Sequence, residues 1–164
     1  MLFELKTVFL NEGETKQLCY ELSIADIDID GVFPFKSPVS VTAVARNRAS
    51  LVTLTLRCRY SYTRFCDRCG EEFTRQEDKS FEHKLAQTVI DEGNDDYIET
   101  PDFTLELDDA VISDILLNLP HKNLCRSDCR GLCPICGKNL NDGDCGCRET
   151  AVDPRLEILK QLID

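Results

Sequence analysis

The sequence predicts an α+β protein in which an antiparallel β-sheet body carries one packed helix and is followed by a cysteine-rich segment and a short C-terminal helix. Apolar and polar residues alternate with period two over residues 52–62, and apolar residues recur at helical spacing over 108–119. Six of the ten cysteines lie within the 23 residues 125–147. A chain of 164 residues suffices for one ordinary domain. We therefore expect one compact unit made of a body (1–120) and a cysteine-rich segment (121–164).

Three strands are expected in the middle of the chain. The alternation is weak over 40–45 and strong over 52–62, where β-branched and aromatic residues are enriched. The polar link 46–50 can turn the chain between them, which predicts an antiparallel hairpin. Residues 73–85 are expected to return as a further strand.

Two helices are expected after the strands. The stretch 91–102 has almost nothing to bury and predicts an exposed acidic loop. A helix over 108–119 follows, with Asp108 as its N-cap and a proline directly after it. The C-terminal helix has Asp153 as N-cap and Pro154 at its first position. The apolar stripe of the first helix is expected to pack on the core and consists of Val111, Ile112, Ile115, Leu116 and Leu119.

Three isolated residues are assigned to packing rather than chemistry. Cys19 and Cys58 stand alone on strand-like stretches, and free cysteine is among the most buried residue types. Both are expected in the core. His83 lies on the face of a predicted strand and is expected to be packed and hydrogen-bonded.

The clustered cysteines predict metal sites. Two cysteines at CxxC spacing on a tight turn can hold one tetrahedral zinc ion, and a following glycine permits the positive φ that such a turn often needs. Both pairs have that glycine: Cys66-Asp-Arg-Cys69-Gly70 and Cys133-Pro-Ile-Cys136-Gly137. We interpret both as zinc knuckles.

Counting ligands predicts one or two structural Zn²⁺ sites, and hence a zinc-stapled cysteine-rich segment that does not fold without metal. One site is assigned to Cys133, Cys136, Cys145 and Cys147. The simplest second site joins the sheet to the segment through Cys66, Cys69, Cys125 and Cys129. Two alternatives stay open. His121 could replace one sulfur, or a single zinc ion could bind among the six C-terminal cysteines while Cys66 and Cys69 remain reduced thiols.

Several classes of protein are not expected. No apolar run approaches the roughly 20 residues that span a bilayer, and the N-terminal stretch does not read as a signal peptide. We expect a cytoplasmic protein without a membrane partner, in which clustered cysteines bind metal rather than form disulfides. The sequence has no phosphate-binding loop, nucleophile elbow or His/Glu/His cluster, and four thiolates leave a zinc ion no open position. Neither an enzyme nor a small-molecule substrate is expected.

Charge is distributed unevenly around a net value of −11. Residues 46–75 contain seven arginines and three acids, whereas residues 76–114 contain 13 acids and two lysines. Because binding to nucleic acid depends on clustered cations, any RNA contact must be local. The acidic stretch can attract a basic protein.

The stretch from 116 to 159 resembles a known family. The run LNLPHKNLCRSDCRGLCPICGKNLNDGDCGC, followed by DPRLEIL, is similar to the YceD family, the large ribosomal RNA subunit accumulation proteins of bacteria and plastids. The mid-chain FCDRCGEEF also matches, so the resemblance covers most of residues 40–162. It implies a role in the accumulation of 23S ribosomal RNA, and hence in large-subunit biogenesis, with no known catalytic activity.

The basic stretch offers candidate contacts to RNA, since guanidinium groups bind phosphates and aromatic rings stack on unpaired bases. The candidates are Arg57, Arg59, Arg64, Arg68, Tyr60 and Tyr62. The alternative is that these arginines pair with the acids of 76–114. The expected partner is ribosomal RNA or a large-subunit precursor, with a basic ribosomal protein as a further candidate. A zinc-ribbon adapter for a transcription or other protein complex is the alternative function, and a redox thiol protein is a third.

Overall fold

The computed structural model describes residues 1–88 and 97–147. Within them the chain forms seven strands and two α-helices. In chain order these are β1 (Leu2–Glu4), α1 (Lys6–Leu10), β2 (Thr15–Leu22), β3 (Val39–Arg48), β4 (Leu51–Phe65), β5 (Glu72–Ala86), β6 (Tyr97–Glu99), β7 (Thr104–Glu106) and α2 (Leu107–Leu117). Short 3-10 turns occur at Pro101–Phe103 and Leu140–Asp142.

The main sheet has the strand order β2-β3-β4-β5-β6. Its first four strands are antiparallel neighbours, whereas β6 pairs in parallel with the end of β5. Strands β1 and β7 form a separate antiparallel pair. The predicted α+β class with an antiparallel sheet is confirmed.

The strands are longer than the sequence predicts. Strands β4 and β5 have 15 residues each, and their pairing runs from Val52–Leu85 to Phe65–Glu72. The hairpin between β3 and β4 turns at Ala49 and Ser50, whose φ angles are 52° and 61°. Positive φ at both central residues gives a turn whose twist matches that of the flanking strands. The link therefore needs only two residues, and the rest of 46–50 belongs to the strands.

The core lies on one side of the sheet, beneath α2. Alternate residues of β3 and β4, such as Ala43 and Leu56, are fully buried, whereas their neighbours face solvent. Three residues one helical turn apart on α2 complete the core: Leu107, Val111 and Ile115. The other side of the sheet is open to solvent over the residues that the structure describes. It carries Arg46 and Arg48 of β3 and Arg57 and Arg59 of β4.

Helix α2 differs in detail from its prediction. It begins at Leu107 with Glu106, not Asp108, as its N-cap. Asp108 lies in the first turn, where its carboxylate still interacts favourably with the helix dipole. The helix ends at Leu117, and Leu116 is 37% exposed rather than part of the core.

The first 39 residues and the acidic stretch contain elements that we did not predict. Strand β2 is the edge of the main sheet, and β1, α1 and β6 are three to five residues long, too short for a periodic pattern to show. Part of the predicted loop 91–102 is therefore ordered as β6 and a 3-10 turn. Residues 89–96 and the predicted C-terminal helix lie outside the described residues.

Of the three isolated residues, Cys19 was wrongly predicted to lie in the core. It lies on the edge strand opposite Thr42, on the solvent side of the sheet, and is exposed. Cys58 is fully buried, as expected. Nε2 of His83 lies 2.8 Å from a carboxylate oxygen of Asp114 on α2, so this histidine is packed and hydrogen-bonded as expected.

Candidate metal centres

Two tight turns with the same backbone geometry present the CxxC pairs. In the first, which connects β4 to β5, the amide of Cys66 donates to the carbonyl of Glu71, and the amide of Gly70 donates back to Cys66. In the second, the corresponding bonds join Cys133 with Lys138 and Gly137 with Cys133. Both glycines have a φ of 73°, which favours glycine over any residue with a Cβ atom. The chain thus builds the same knuckle twice.

One group of four cysteines, the inner cluster, lies at the end of the main sheet. It consists of Cys66, Cys69, Cys125 and Cys129, whose sulfur atoms all lie within 4.8 Å of one another. Three of these cysteines are at most 5% exposed, and Cys125 is partly buried. The cluster brings together residues about 60 positions apart, with Sγ of Cys66 lying 3.7 Å from Sγ of Cys129. It therefore joins the cysteine-rich segment to the sheet.

Hydrogen bonds hold the segment against the first knuckle. The amide of Asp67 donates to the carbonyl of Asn123 at 2.8 Å, and the amide of Asn123 donates to the Asp67 carboxylate at 2.7 Å. Two arginines donate to backbone carbonyls of the same segment. Arg68 binds the carbonyl of Cys129 at 2.7 Å, and Arg75 binds that of Leu124 at 3.0 Å. These bonds position Cys125 and Cys129 opposite the knuckle.

The second group, the outer cluster, lies closer to solvent. Its members are Cys133, Cys136, Cys145 and Cys147, again with all sulfur atoms within 4.8 Å. Cys133 is buried, Cys145 is partly buried, and Cys136 and Cys147 are exposed. The loop between the two halves of this cluster folds back through a bond from Lys138 Nζ to the carbonyl of Asp144 at 3.0 Å.

Asn141, on the loop of the outer cluster, links the two clusters. Its side-chain Nδ2 donates to Sγ of Cys129 in the inner cluster at 3.3 Å, and its Oδ1 accepts from the amide of Arg130 at 2.8 Å. Gly131 lets the chain between the clusters pass close to the first knuckle, because a Cβ atom there would lie 3.0 Å from the carbonyl oxygen of Arg68. The loop of the outer cluster therefore supplies a hydrogen bond to a sulfur of the inner one.

The electrostatics of the sulfur atoms favour bound cations. Burial raises the pKa of Cys66, but backbone amides of Cys125 and of its own knuckle donate to the sulfur and bring the pKa down to about 6. Amides of the second knuckle likewise lower the pKa of Cys133 to about 6. Close contact with the neighbouring sulfurs of Cys136 and Cys145 raises the pKa of Cys147 to about 12. A fully ionised set of four thiolates therefore needs a positive ion among them.

Each donor set consists of sulfur alone and has four members, which suits a tetrahedral metal ion that prefers soft ligands. The two sets are the same as those obtained by counting ligands in the sequence. His121 is exposed and belongs to neither cluster. Cys66 and Cys69 are not isolated thiols, since each contacts a cysteine of the downstream segment.

The arginines predicted to contact RNA divide into two groups. Arg57 and Arg59 project from the open side of the sheet, where Arg57 makes two bonds of 2.9 and 2.8 Å to Asp78. Arg59 lies 3.6 Å from the same carboxylate. Arg64 and Arg68 instead stabilise turns. Arg64 binds the carbonyl of Ile29 and the carboxylate of Asp30, each at 3.1 Å, while Arg68 binds the inner-cluster segment.

The prediction that two tyrosine rings stack on RNA bases is wrong. Tyr60 and Tyr62 are 5% and 1% exposed, so neither ring can stack on a base. They share strand parity with Leu54 and Leu56, and this signal was already present in the alternating pattern of β4. Sequence reasoning also missed Asn141 and Gly131, because neither residue type marks a contact with a distant part of the chain.

The fold and the clusters together define an α+β protein with two four-cysteine centres, each of which can hold a metal ion. The chain belongs to the YceD family, whose model, described as "Large ribosomal RNA subunit accumulation protein YceD", matches residues 54–163. That range contains β5, α2 and all eight clustered cysteines.

Similar curated proteins come from mycobacteria. Uncharacterized proteins of Mycobacterium tuberculosis and Mycobacterium bovis are 39% identical over 62 residues, which is 38% of this chain and 30% of theirs. One from Mycobacterium leprae is 33% identical over 60 residues, covering 37% of this chain and 28% of its own. The chain thus spans less than a third of the length of these relatives. No solved structure matches it. Within the described residues, no helix has the length and apolar character needed to cross a membrane.

Proposed function

We propose that the chain is a non-catalytic, zinc-binding ribosome biogenesis factor of the cytoplasm that supports accumulation of 23S ribosomal RNA and assembly of the large subunit. The match of residues 54–163 to a family described by large-subunit ribosomal RNA accumulation carries this proposal. The matched range includes both cysteine clusters, so the part of the chain that matches the family also carries the proposed metal centres.

Zinc is the proposed metal because sets of four thiolates are characteristic of structural zinc sites. Two large apolar residues of the cysteine-rich segment, Leu132 and Ile135, are 46% and 50% exposed, so this segment has little core of its own. Structural zinc contributes about 10 to 16 kcal/mol in small peptides, which is enough to fold such a segment. Four protein ligands leave no position for water or substrate, which supports a structural rather than a catalytic role.

The open side of the main sheet is the proposed RNA contact. It carries four exposed arginines, Arg46 and Arg48 on β3 with Arg57 and Arg59 on β4. A phosphate would compete with Asp78 for Arg57 and Arg59, because that carboxylate lies between them. We exclude Arg64, Arg68 and the two buried tyrosines from this surface.

The experiment that tests the function is depletion of the protein followed by measurement of 23S relative to 16S ribosomal RNA, together with metal analysis of the purified chain. We expect a selective loss of 23S RNA and two zinc ions per chain. Normal 23S RNA, with the protein co-purifying with a transcription complex instead, would favour the adapter function.

A variant pair tests the RNA surface. Replacing Arg57 and Arg59 with alanine should weaken co-sedimentation with large-subunit precursors and reduce its dependence on salt, because two phosphate contacts are lost. Replacing Lys6 and Lys122, two exposed cations away from this surface, removes the same charge and should leave binding unchanged. Equal binding by the two variants would mean that these arginines form surface ion pairs and do not contact RNA.

A further inference from the structure

A surface groove lies where the loop between β2 and β3 passes the end of α2. It has a volume of about 510 Å³. Apolar residues of both walls line it, among them Ile27, Ile29, Pro34, Leu116, Leu117 and Leu119. Two acidic residues, Asp28 and Asp30, lie at its edge and are exposed. The function proposed above assigns no role to this groove.

Hydrogen bonds and an ion pair support the wall formed by the loop. The amide of Gly31 donates to the carboxylate of Asp28 at 2.7 Å, and Ile29 and Val32 pair through backbone bonds of 2.9 and 3.2 Å. Arg64 of β4 binds both the Ile29 carbonyl and the Asp30 carboxylate, and its side chain is only 18% exposed. A wall fixed in this way needs little ordering when a ligand binds, which favours affinity.

The opposite wall exposes large apolar side chains to solvent. Leu117 is 79% exposed and Leu116 is 37% exposed, side by side at the end of α2. Phe33, beside the lining residue Pro34, is 55% exposed. Contiguous exposed apolar side chains with polar residues at their edge are typical of sites that bind another molecule.

Charge selects among the possible occupants. The positive charge of Arg64 is already paired with Asp30, and Asp26 adds a further exposed carboxylate close by in the chain. Nucleic acid would be repelled by this edge. A second copy of a chain whose net charge is −11 would also be repelled. A polypeptide that combines apolar with basic side chains matches both the apolar walls and the acidic edge of the groove.

We propose that this groove binds an extended basic segment of a protein, which inserts apolar side chains between the loop and α2 and places lysine or arginine against Asp28 and Asp30. Resting on the function proposed above, the partner is a basic extension of a large-subunit protein. The chain then has two contact surfaces, with RNA on the open side of the sheet and protein at the groove.

The test uses the full chain and a short fluorescent peptide in which leucines alternate with pairs of lysines, with binding followed by anisotropy. Leu117→Ser should lower affinity about tenfold, because the apolar area that this leucine of the α2 wall buries against the peptide is lost. Asp28→Asn keeps the acceptor for the Gly31 amide and should lower affinity two- to fivefold, about the contribution of an exposed ion pair. It should also reduce the dependence on salt.

Matched controls lie elsewhere on the surface. Leu10, 66% exposed on α1, and the exposed Asp102 can be changed to serine and asparagine, and neither change should alter affinity. Equal losses in the control and groove variants, or equal binding of a peptide with glutamate in place of lysine, would overturn the proposal.

Other occupants give distinct results, each of which also overturns the proposal. An RNA oligonucleotide whose binding is lost in Leu117→Ser would assign the groove to RNA, and a dimer that the same variant dissociates would assign it to a second copy. Peptide affinity that rises when Leu156, Leu159 and Leu162 are replaced by serine would assign it to the chain's own C-terminal segment. These measurements use purified protein and therefore test the groove independently of the proposed function. Normal 23S RNA in a depleted strain would contradict the proposed function and would remove only the ribosomal identity of the partner.

Discussion

Asn141 provides the sharpest test of how the two cysteine clusters depend on each other. Replacing it with alanine removes the bond from Nδ2 to Sγ of Cys129 and leaves the amide of Arg130 without its side-chain acceptor. The same bond is the main reason that the pKa of Cys129 is lowered. Although Asn141 belongs to the loop of the outer cluster, its loss should therefore weaken metal binding by the inner cluster.

The expected magnitude follows from the charge of the acceptor. A hydrogen bond to a charged group contributes about 1.5 to 3 kcal/mol, which corresponds to roughly 10- to 100-fold in affinity. Groups that hydrogen-bond to metal ligands have effects of similar size in other sites, about 10- to 100-fold. We expect Asn141→Ala to weaken zinc binding by the inner cluster within this range.

Competition with a chromogenic chelator measures the effect in the intact protein, where mass spectrometry of maleimide-labelled cysteines shows which cluster has lost its zinc ion. Asn139→Ala is the matched control, since Asn139 bonds to Glu71 and to the amide of Asn141 but to no sulfur. It should change the zinc affinity less than about threefold, because neither of its two bonds reaches a metal ligand. If the two variants bind zinc equally well, the bond to Cys129 does not support the inner cluster and the coupling is wrong.

Three further predictions concern stability, reactivity and pH. Gly131→Ala should lower the free energy of unfolding by about 2 to 4 kcal/mol, because its φ is 75° and the new Cβ would meet the Arg68 carbonyl. Gly13→Ala, with a φ of 81° and no neighbour within 4 Å, should cost only about 1 to 2 kcal/mol in the same denaturant titration. In zinc-loaded protein, a limiting amount of maleimide should modify the outer cluster before the inner one, because two outer thiols are exposed. Equal labelling by mass spectrometry would contradict this. Zinc affinity of the outer cluster should fall about tenfold or more per pH unit on acidification, because the pKa of Cys147 is about 12 and its proton must leave when metal binds. Chelator competition at two pH values checks this, and an affinity that does not change with pH would refute it.

The alternation of β4 shows how far local patterns can lead. It predicted the strand and placed Arg57 and Arg59 on the side opposite the core, as observed. The same parity puts Tyr60 and Tyr62 in the core, and proposing them as RNA contacts overlooked it. Composition pointed to arginines interleaved with aromatic rings, but strand geometry sends the two kinds of side chain to opposite faces.

The short elements of the first 39 residues were beyond sequence reasoning for a different reason. Strands of three residues and a helix of five contain less than two periods of any pattern, and they form because the larger sheet and α2 offer partners. Leu105 of β7, for example, pairs with Phe3 across about 100 residues of chain. No local window contains that information.

The sequence by itself determined which residues are the candidate metal ligands of this protein. The residue types, the CxxC spacing and the number of cysteines favoured two sulfur-only sets of four, with His121 as a ligand or a single ion left open, and the pattern of alternation predicted the central strands of the sheet. Only the tertiary structure decided which cluster is buried and that Asn141 links the two clusters. It also decided that Arg64 binds the loop between β2 and β3, and that an apolar groove with an acidic edge lies beside α2. The physical reason is that ligand identity is a property of side chains, whereas burial and hydrogen bonding depend on residues distant in sequence. Arg64 and Asp30 are separated by 34 positions, and Cys66 and Cys129 by 63.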